Sequence, residues 1–286
     1  MALDFYTDEL GFRIDVIFPA DAPRAANLSG HGIQCRLEQS GDRKPVGDDQ
    51  WGTGRAGMQY RDLISNRLGG RVIASHIRIP DGGPVPDYVH HHHVEFQMIY
   101  CYRGWVKVVY EDQGLPFVMA AGDCVLQPPH IRHRVLECSD NMEVIEVSSP
   151  AEHETRVDHE MELPTTAINA DREFNGQRFV RHELSKATWQ TGPDGFESRD
   201  TGIGEATAGR ASVQVIRSTN SKSAVVLGND NEMIFSFVLQ GATTLQRQDE
   251  ADQLLEAGDS FVVSSGVQVT LADNSEDLEL LQVTPA

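Results

Sequence analysis

The chain has 286 residues, with 43 acidic against 24 basic side chains and a formal net charge of −19. A surface this acidic repels phosphate backbones and anionic lipid, which argues against nucleic-acid and membrane partners. No apolar stretch reaches the ~18 residues of a transmembrane helix, and the N-terminus lacks a basic region followed by an apolar core, so we expect a cytoplasmic protein.

Cysteine usage agrees with a reducing compartment. The four cysteines form no CxxC pair, and therefore neither a zinc-ribbon spacing nor the framework of a small disulfide-rich domain. They are Cys35, Cys101, Cys124 and Cys138.

Residues 1–38 have their own character. The apolar spacing at the start predicts a short amphipathic helix, and strand-like pieces follow at 14–18, 25–28 and 33–37. The run FYTDELGF…SGHGIQCRLE resembles part of a glyoxalase/bleomycin-resistance (vicinal oxygen chelate) module. That family's first strand, which usually supplies a metal ligand, is missing here. We therefore expect a short α/β extension with a structural role.

The rest of the chain has β patterning in two stretches. Residues 39–66 are polar and glycine-rich and predict a linker or lid. The acidic segment 151–175 predicts a connector, in which we expect His153 and His159 to be solvated rather than to bind a metal. Short alternating apolar runs within 67–150 and 176–286 predict all-β sandwich or barrel domains. The predicted strands are 72–79, 96–102, 105–110, 125–127, 134–136 and 144–147, then 212–216, 224–227, 234–239, 242–246, 261–263, 267–271 and 278–283.

The two β stretches have the features of a repeat. In the first, an apolar strand precedes Gly104 and the triplet Ala-Gly-Asp ends at Asp123. In the second, an apolar strand precedes Gly241 and the same triplet ends at Asp259. Two copies of one β unit account for the length of the chain.

Four consecutive histidines, His90 to His93, stand before the apolar run that starts at Phe96. On one continuous strand, alternate side chains share a face, so His91, His93, Glu95 and Gln97 would line one face. His90 and His92 would then face the other way, and we expect them to point outward or to support the ligands. A further imidazole from another strand would complete a set suited to Zn, Cu, Fe or Ni.

These residues resemble the two motifs of the cupin superfamily. His91-x-His93-x3-Gln97-x6-Gly104 is similar to the first motif, G-x5-H-x-H-x3/4-E-x6-G, with Gln in place of Glu. Gly122-x5-Pro128-x-His130-x2-His133 is similar to the second motif, with His130 where Gly is usual. The resemblance implies a two-barrel (bicupin) protein of double-stranded β-helix barrels.

The resemblance also implies a metal site. Its ligands would be His91, His93, Gln97 and His133, holding one divalent transition metal per chain, with Fe, Zn, Ni, Mn and Cu all open. Because Gln97 carries no charge, the ion would keep its full +2 and favour anionic ligands. Glu95 is the alternative carboxylate and a candidate catalytic base.

Four residues are candidates for lining the pocket. His76 and Arg78 share a face of the strand before the histidines, where both could line the pocket or be exposed. Cys101 and Cys124 point inward by parity, although core cysteines are more often inert than reactive.

The second barrel is expected to be metal-free. Alignment of the two glycine pairs places Gly228, Asp230, Ile234 and Val269 at its ligand positions. We expect this half to retain the fold for packing, and the protein to form a homodimer.

The resemblance implies a metal-dependent enzyme. Among such enzymes the chain most resembles a bicupin dioxygenase such as a quercetinase. Its substrate would be a small oxygen-chelating molecule of aromatic, flavonol or diketone type. Two alternatives stay open: a metal-dependent isomerase or lyase acting on a sugar-acid-like substrate, and a non-catalytic cupin that binds a metal or small ligand.

Overall fold

The computed structural model describes residues 3, 5–21, 23–39, 50–192, 195–220, 224–228 and 230–285. The chain divides into two compact units, Met1–Phe179 and Val180–Ala286. Part of the predicted linker or lid, residues 40–49, lies outside the described residues. Within the described part, no helix combines the length and the apolar character needed to cross a membrane.

Both units consist of strands, so the predicted all-β class is confirmed. The strands of the first unit are β1 (Arg13–Phe18), β2 (Ala25–Gly30), β3 (Ile33–Glu38), β4 (Gly52–Thr53), β5 (Gln59–Asp62), β6 (Ile73–Ile79), β7 (Gly83–Pro84), β8 (His90–His92), β9 (Phe96–Arg103), β10 (Trp105–Tyr110), β11 (Phe117–Ala120), β12 (Cys124–Leu126), β13 (His133–Cys138), β14 (Met142–Ser149), β15 (Thr155–Val157), β16 (Glu173–Phe174) and β17 (Gln177–Arg178). The strands of the second unit are β18 (Val180–His182), β19 (Gln190–Thr191), β20 (Phe196–Asp200), β21 (Ala211–Ser218), β22 (Val225–Gly228), β23 (Met233–Gln240), β24 (Ala242–Arg247), β25 (Gln253–Glu256), β26 (Ser260–Ser264), β27 (Gln268–Ala272) and β28 (Glu279–Pro285). Short helical turns occupy Phe5–Glu9, Arg55–Gly57, Arg67–Gly70, Leu184–Lys186 and Ile203–Ala206.

Two antiparallel sheets form the first unit. One has the order β11-β10-β13-β8-β15-β1-β2-β3, and the other includes the order β12-β9-β14-β6-β5-β4. The apolar side chains that alternate along these strands face one another and form a buried core between the sheets. Phe174, within the predicted connector, and Phe179, just beyond it, also pack on this core.

The N-terminal segment is continuous with the first barrel. Strand β1 pairs with β15 through Val16↔Arg156 and Ile17↔Thr155, which extends the barrel's sheet by three strands. Phe12, Ala26 and Leu28 form a small apolar core of their own beside it. The strands of this segment therefore belong to the same sheet as the strands of the first barrel. The likeness of the segment to a vicinal oxygen chelate module stays a prediction.

The repeated glycines have the same structural role in each unit. Gly104 and Gly241 adopt φ of 71° and 75°, and a side chain at either would collide with a serine hydroxyl. That hydroxyl, on Ser139 or Ser275, accepts a hydrogen bond from the backbone N–H after the glycine. The sequence repeat thus corresponds to a repeated turn.

The second unit has a filled apolar interior. Two of its aligned ligand positions are apolar residues of this interior: Val269 is buried within it, and Ile234 packs against it. Asp230, the one aligned residue with a carboxylate, is exposed.

Candidate functional site

The histidine run does not continue into β9 as one strand. Strand β8 ends at His92, and residues 93–95 leave the sheet before β9 begins at Phe96 in the other sheet. The period-two relation between His93 and Gln97 is therefore lost. His90 and His92 are 0% and 8% exposed, so the expectation that these two face outward was wrong.

The inner histidine cluster consists of His90, His92 and His133. Strand pairing brings it together, because His133 of β13 lies opposite His90 of β8. The ring centroid of His133 lies 4.2 Å from that of His90 and 5.3 Å from that of His92. One ring nitrogen from each residue lies within 4.8 Å of the others, so the cluster could hold a metal ion.

Hydrogen bonds orient these rings. His90 Nδ1 lies 2.8 Å from Tyr88 O, and His133 Nδ1 lies 3.0 Å from Ile131 O. A carbonyl can only accept, so both Nδ1 atoms donate and the lone pair of each neutral ring sits on Nε2. His92 Nδ1 is 2.9 Å from Thr155 Oγ1. Such bonds fix the tautomer and direction of metal-binding imidazoles, so the donor set fits a divalent transition ion.

Gln97 lies in a buried chain of polar groups beside this cluster. Tyr110 OH donates to Gln127 Oε1 at 2.6 Å, and Gln127 Nε2 donates to Gln97 Oε1 at 3.0 Å. Gln97 Nε2 is buried and has no hydrogen-bond partner among the residues that the structure describes. If the side-chain amides of Gln97 and Gln127 are both flipped, the two hydrogen bonds are kept with donor and acceptor exchanged. The Gln97 oxygen then takes the position that Nε2 occupied without a partner. Gln97 can thus present an uncharged oxygen donor there.

The outer histidine cluster consists of His91, His93 and His130. Their rings lie 4.6 to 5.7 Å apart, and one nitrogen from each lies within 4.8 Å of the others. Burial, followed by the charge of Arg132, lowers the pKa of His91 to about 4. The structure therefore separates two of the predicted ligands, His91 and His93, from the third histidine, His133.

A cavity of about 90 Å³ lies between the two sheets, with His92 and His133 in its wall. Its lining is mainly apolar: Met58, Ile73, Ile77, Ile99, Val106, Val108, Met119, Val135, Met142, Val144 and Ala151. An apolar pocket with a few convergent polar groups is the usual form of a small-molecule site.

Segments outside the central barrel strands also border the cavity. Asp21 comes from the N-terminal segment and Tyr60 from β5. Arg67 joins these segments, because its guanidinium lies 2.8 Å from Asp21 Oδ2 and 2.6 Å from Asp62 Oδ2. The N-terminal extension therefore contributes to the wall of the site.

Two further polar residues line the cavity: Glu146, which sequence reasoning missed, and His153, for which the expected solvated position was wrong. Glu146 projects from β14, and His153 precedes β15. His153 is buried, and its Nδ1 lies 3.0 Å from Pro150 O. Within the described part of the chain its Nε2 has no hydrogen-bond partner. Its ring lies 5.4 Å from that of His92. No motif marks His153; it is near the site because β15 pairs with β8.

Several predicted residues lie elsewhere. Glu95, the predicted catalytic base, is exposed and does not line the cavity. Cys101 and Cys124 are fully buried but are also absent from its wall. Burial raises the pKa of Cys101 to about 12, so its thiol is unreactive at neutral pH.

His76 and Arg78 were candidates either for the pocket or for an exposed position, and Ser75 and Ile77 of the same strand line the cavity instead. Arg78 stacks on Trp51, with the guanidinium carbon 3.9 Å from the ring centroid. His76 accepts at Nδ1 from Arg61 and donates from Nε2 to Glu143. Both belong to a polar cluster on the other face of β6.

We expect His76 to make the protein acid-labile. Burial lowers its pKa from 6.5 to about 4, against the opposing effect of Glu143 and with smaller contributions from Arg61 and Arg103. Between these pH values the unfolded chain binds the proton and the folded chain does not, so stability falls as pH falls from about 6.5 towards 4. The contribution lost at pH 5 is roughly 2 kcal/mol.

Urea unfolding at pH 7 and pH 5, in wild type and His76→Gln, measures this contribution. The variant should lose less free energy of unfolding on acidification than the wild type does. Equal losses in the two proteins would show that His76 does not contribute.

Fold and site together define a cupin-type barrel with a candidate metal centre. Residues 75–148 match the Cupin domain family. This stretch includes His90, His92, Gln97 and His133. No curated protein matches the chain.

Solved structures show the same fold over most of the chain. Salicylate 1,2-dioxygenase from Pseudaminobacter salicylatoxidans is 18% identical with a TM-score of 0.60, covering 79% of this chain and 76% of its own. A variant of oxalate decarboxylase from Bacillus subtilis is 10% identical with a TM-score of 0.59, covering 85% of this chain and 76% of its own. Both likenesses extend beyond the first barrel.

Proposed function

We propose that the protein is a metal-dependent dioxygenase that acts on a compact, oxygen-chelating substrate of the 1,3-diketone type. One observation carries the proposal: the inner histidine cluster borders a mainly apolar cavity between the sheets of the first barrel. The similar salicylate dioxygenase supports oxygen chemistry on this fold.

The proposed metal ligands are His90, His92 and His133, with the amide oxygen of Gln97 as a fourth donor. This set keeps the spacing of the cupin motif, because four residues separate His92 from Gln97. It contains no carboxylate, so a bound divalent ion would keep its +2 charge and polarise the oxygens of an anionic chelator. We propose one such ion in this cavity.

The cavity restricts the substrate class. A cavity of about 90 Å³ is far too small for a multi-ring flavonol, so among the chelating substrates it favours a compact diketone. Its apolar walls would pack the alkyl groups of a diketone and exclude water. A sugar acid would leave its hydroxyls unpaired against those walls, which disfavours the isomerase and lyase alternatives.

His153 is the proposed base. No described residue hydrogen-bonds its Nε2, and the Pro150 carbonyl already engages Nδ1, so the ring can accept a proton at Nε2. The acidic carbon between two carbonyls would supply that proton and leave an enolate. Glu146 lies in the same wall and is the second proton acceptor.

Oxygen uptake tests the proposal. Untagged protein reconstituted with Fe²⁺ and supplied with pentane-2,4-dione should consume one O₂ per diketone. Cleavage of one carbon–carbon bond would place both oxygen atoms in the products, a carboxylic acid and a 2-oxo aldehyde. His133→Ala should show no uptake. Retained iron together with intact diketone would contradict this substrate class, and would favour a binding cupin if the diketone shifts the metal's spectrum.

A further inference from the structure

The first barrel has a second set of convergent imidazoles that the proposed function does not use. Successive side chains of a strand point to opposite faces, so the run that directs His90 and His92 inward directs His91 and His93 outward. His130 joins the outer pair from the loop before β13, with ring centroids 4.6 Å from His93 and 5.7 Å from His91.

The backbone holds this arrangement. His130 adopts a left-handed conformation, φ 66°, where cupins usually have glycine. Its N–H donates to His92 O at 3.1 Å, and the N–H of His93 donates to Glu154 O at 3.0 Å. The loop and strand β15 are thus fixed on either side of the histidine run. The convergence depends on the fold and not merely on a run of histidines.

Its donors are those of a transition-metal site. Three imidazole nitrogens lie within 4.8 Å of one another, and all three residues are only partly buried, so an ion can enter from solvent. His91 Nδ1 has no hydrogen-bond partner in the described ranges. A carboxylate is also near, because Glu154 Oε2 lies 3.7 Å from His93 Nδ1. Imidazole with one carboxylate is a ligand set that Zn²⁺ accepts.

We propose that His91, His93 and His130 form a second divalent-metal site, for Zn²⁺ or a similar ion, on the outer face of β8. An ion there would join the strand that carries His90 and His92 to the loop that leads into His133. Its role would be structural, since it would hold the inner ligands in register. Arg156 binds Glu154 and brings positive charge close by, so we expect weaker binding than at the inner cluster.

Zn²⁺ titration of untagged, metal-free protein, followed by calorimetry and by metal analysis after gel filtration, tests the proposal. Wild type should bind two equivalents. His130→Asn should bind one, because asparagine tolerates the left-handed conformation but removes the imidazole. Since His130 lies far along the chain from the histidine run, this variant distinguishes a folded site from a tag-like tract. His91→Ala should also bind one equivalent.

Thermal unfolding provides the second readout. Zn²⁺ should raise the Tm of His133→Ala, which retains the outer cluster, and should not raise that of His133→Ala/His130→Asn. Two equivalents retained by both His130→Asn and His91→Ala would overturn the proposal. The proposal would also be overturned if the wild type binds a single equivalent of Zn²⁺ and only His133→Ala abolishes that binding. A single equivalent that only His130→Asn removes would instead uphold this site and contradict the inner metal centre.

Discussion

Replacing His133 by alanine should remove the metal from the inner histidine cluster. The substitution deletes one of three buried imidazoles, which all converge within 4.8 Å. Loss of a residue that only orients a metal ligand costs about 10–100-fold in affinity, and loss of the ligand itself should cost more. We therefore expect binding to fall by more than about 100-fold. Metal analysis after dialysis against a chelator measures it.

The His91→Ala/His130→Asn background isolates the inner cluster, because it disables the outer one. In that background one ion per chain should be retained, and adding His133→Ala or His90→Ala should abolish it. Adding Gln97→Leu should cause a smaller loss, since the amide oxygen carries no charge. A different outcome in the otherwise wild-type protein would contradict this ligand set. If His91→Ala by itself removes all bound metal while His90→Ala does not, the correct ligands are His91, His93, Gln97 and His133.

Replacing His153 should abolish turnover without loss of metal. A positioned general base typically contributes 10²–10⁴-fold in rate, so diketone cleavage should fall by about that factor. His153→Asn keeps an amide near Nδ1 for Pro150 O but places nothing at Nε2. His153→Gln keeps a polar atom near Nε2 that cannot take up a proton. Both variants should be slow, and steady-state oxygen uptake at fixed iron content measures them.

The pair separates base chemistry from positioning. If His153 only orients substrate through a hydrogen bond, His153→Gln should recover most of the rate and His153→Asn should raise the KM. Unchanged kcat in both variants would exclude a role for His153. Glu146→Gln is the matched control, because it changes the other polar acceptor in the wall; a larger loss there would make Glu146 the base.

Much of the fold could be predicted from local patterns. Alternating apolar residues predicted β6, β9, β10 and β14 in the first unit and the corresponding strands of the second. The Gly-Asp turns could also be predicted, because few other residues replace a glycine in the left-handed conformation or an aspartate that accepts a backbone N–H. In the structure Asp123 accepts from the N–H of Ala120, and Asp259 accepts from the N–H of Glu256. Strands β8 and β15, with three residues each, are too short to show a period.

The sequence alone determined the class of fold and the stretch of chain that carries the candidate metal site. Which face of the histidine run is buried was decided only by tertiary structure. Two readings of the motif fit: three residues between His93 and Gln97, or four between His92 and Gln97. The chain leaves one sheet at 93–95 and enters the other, so alternation cannot be carried across that break. Pairing of β8 with β13 and β15 directs His90 and His92 inward and places His153 beside them.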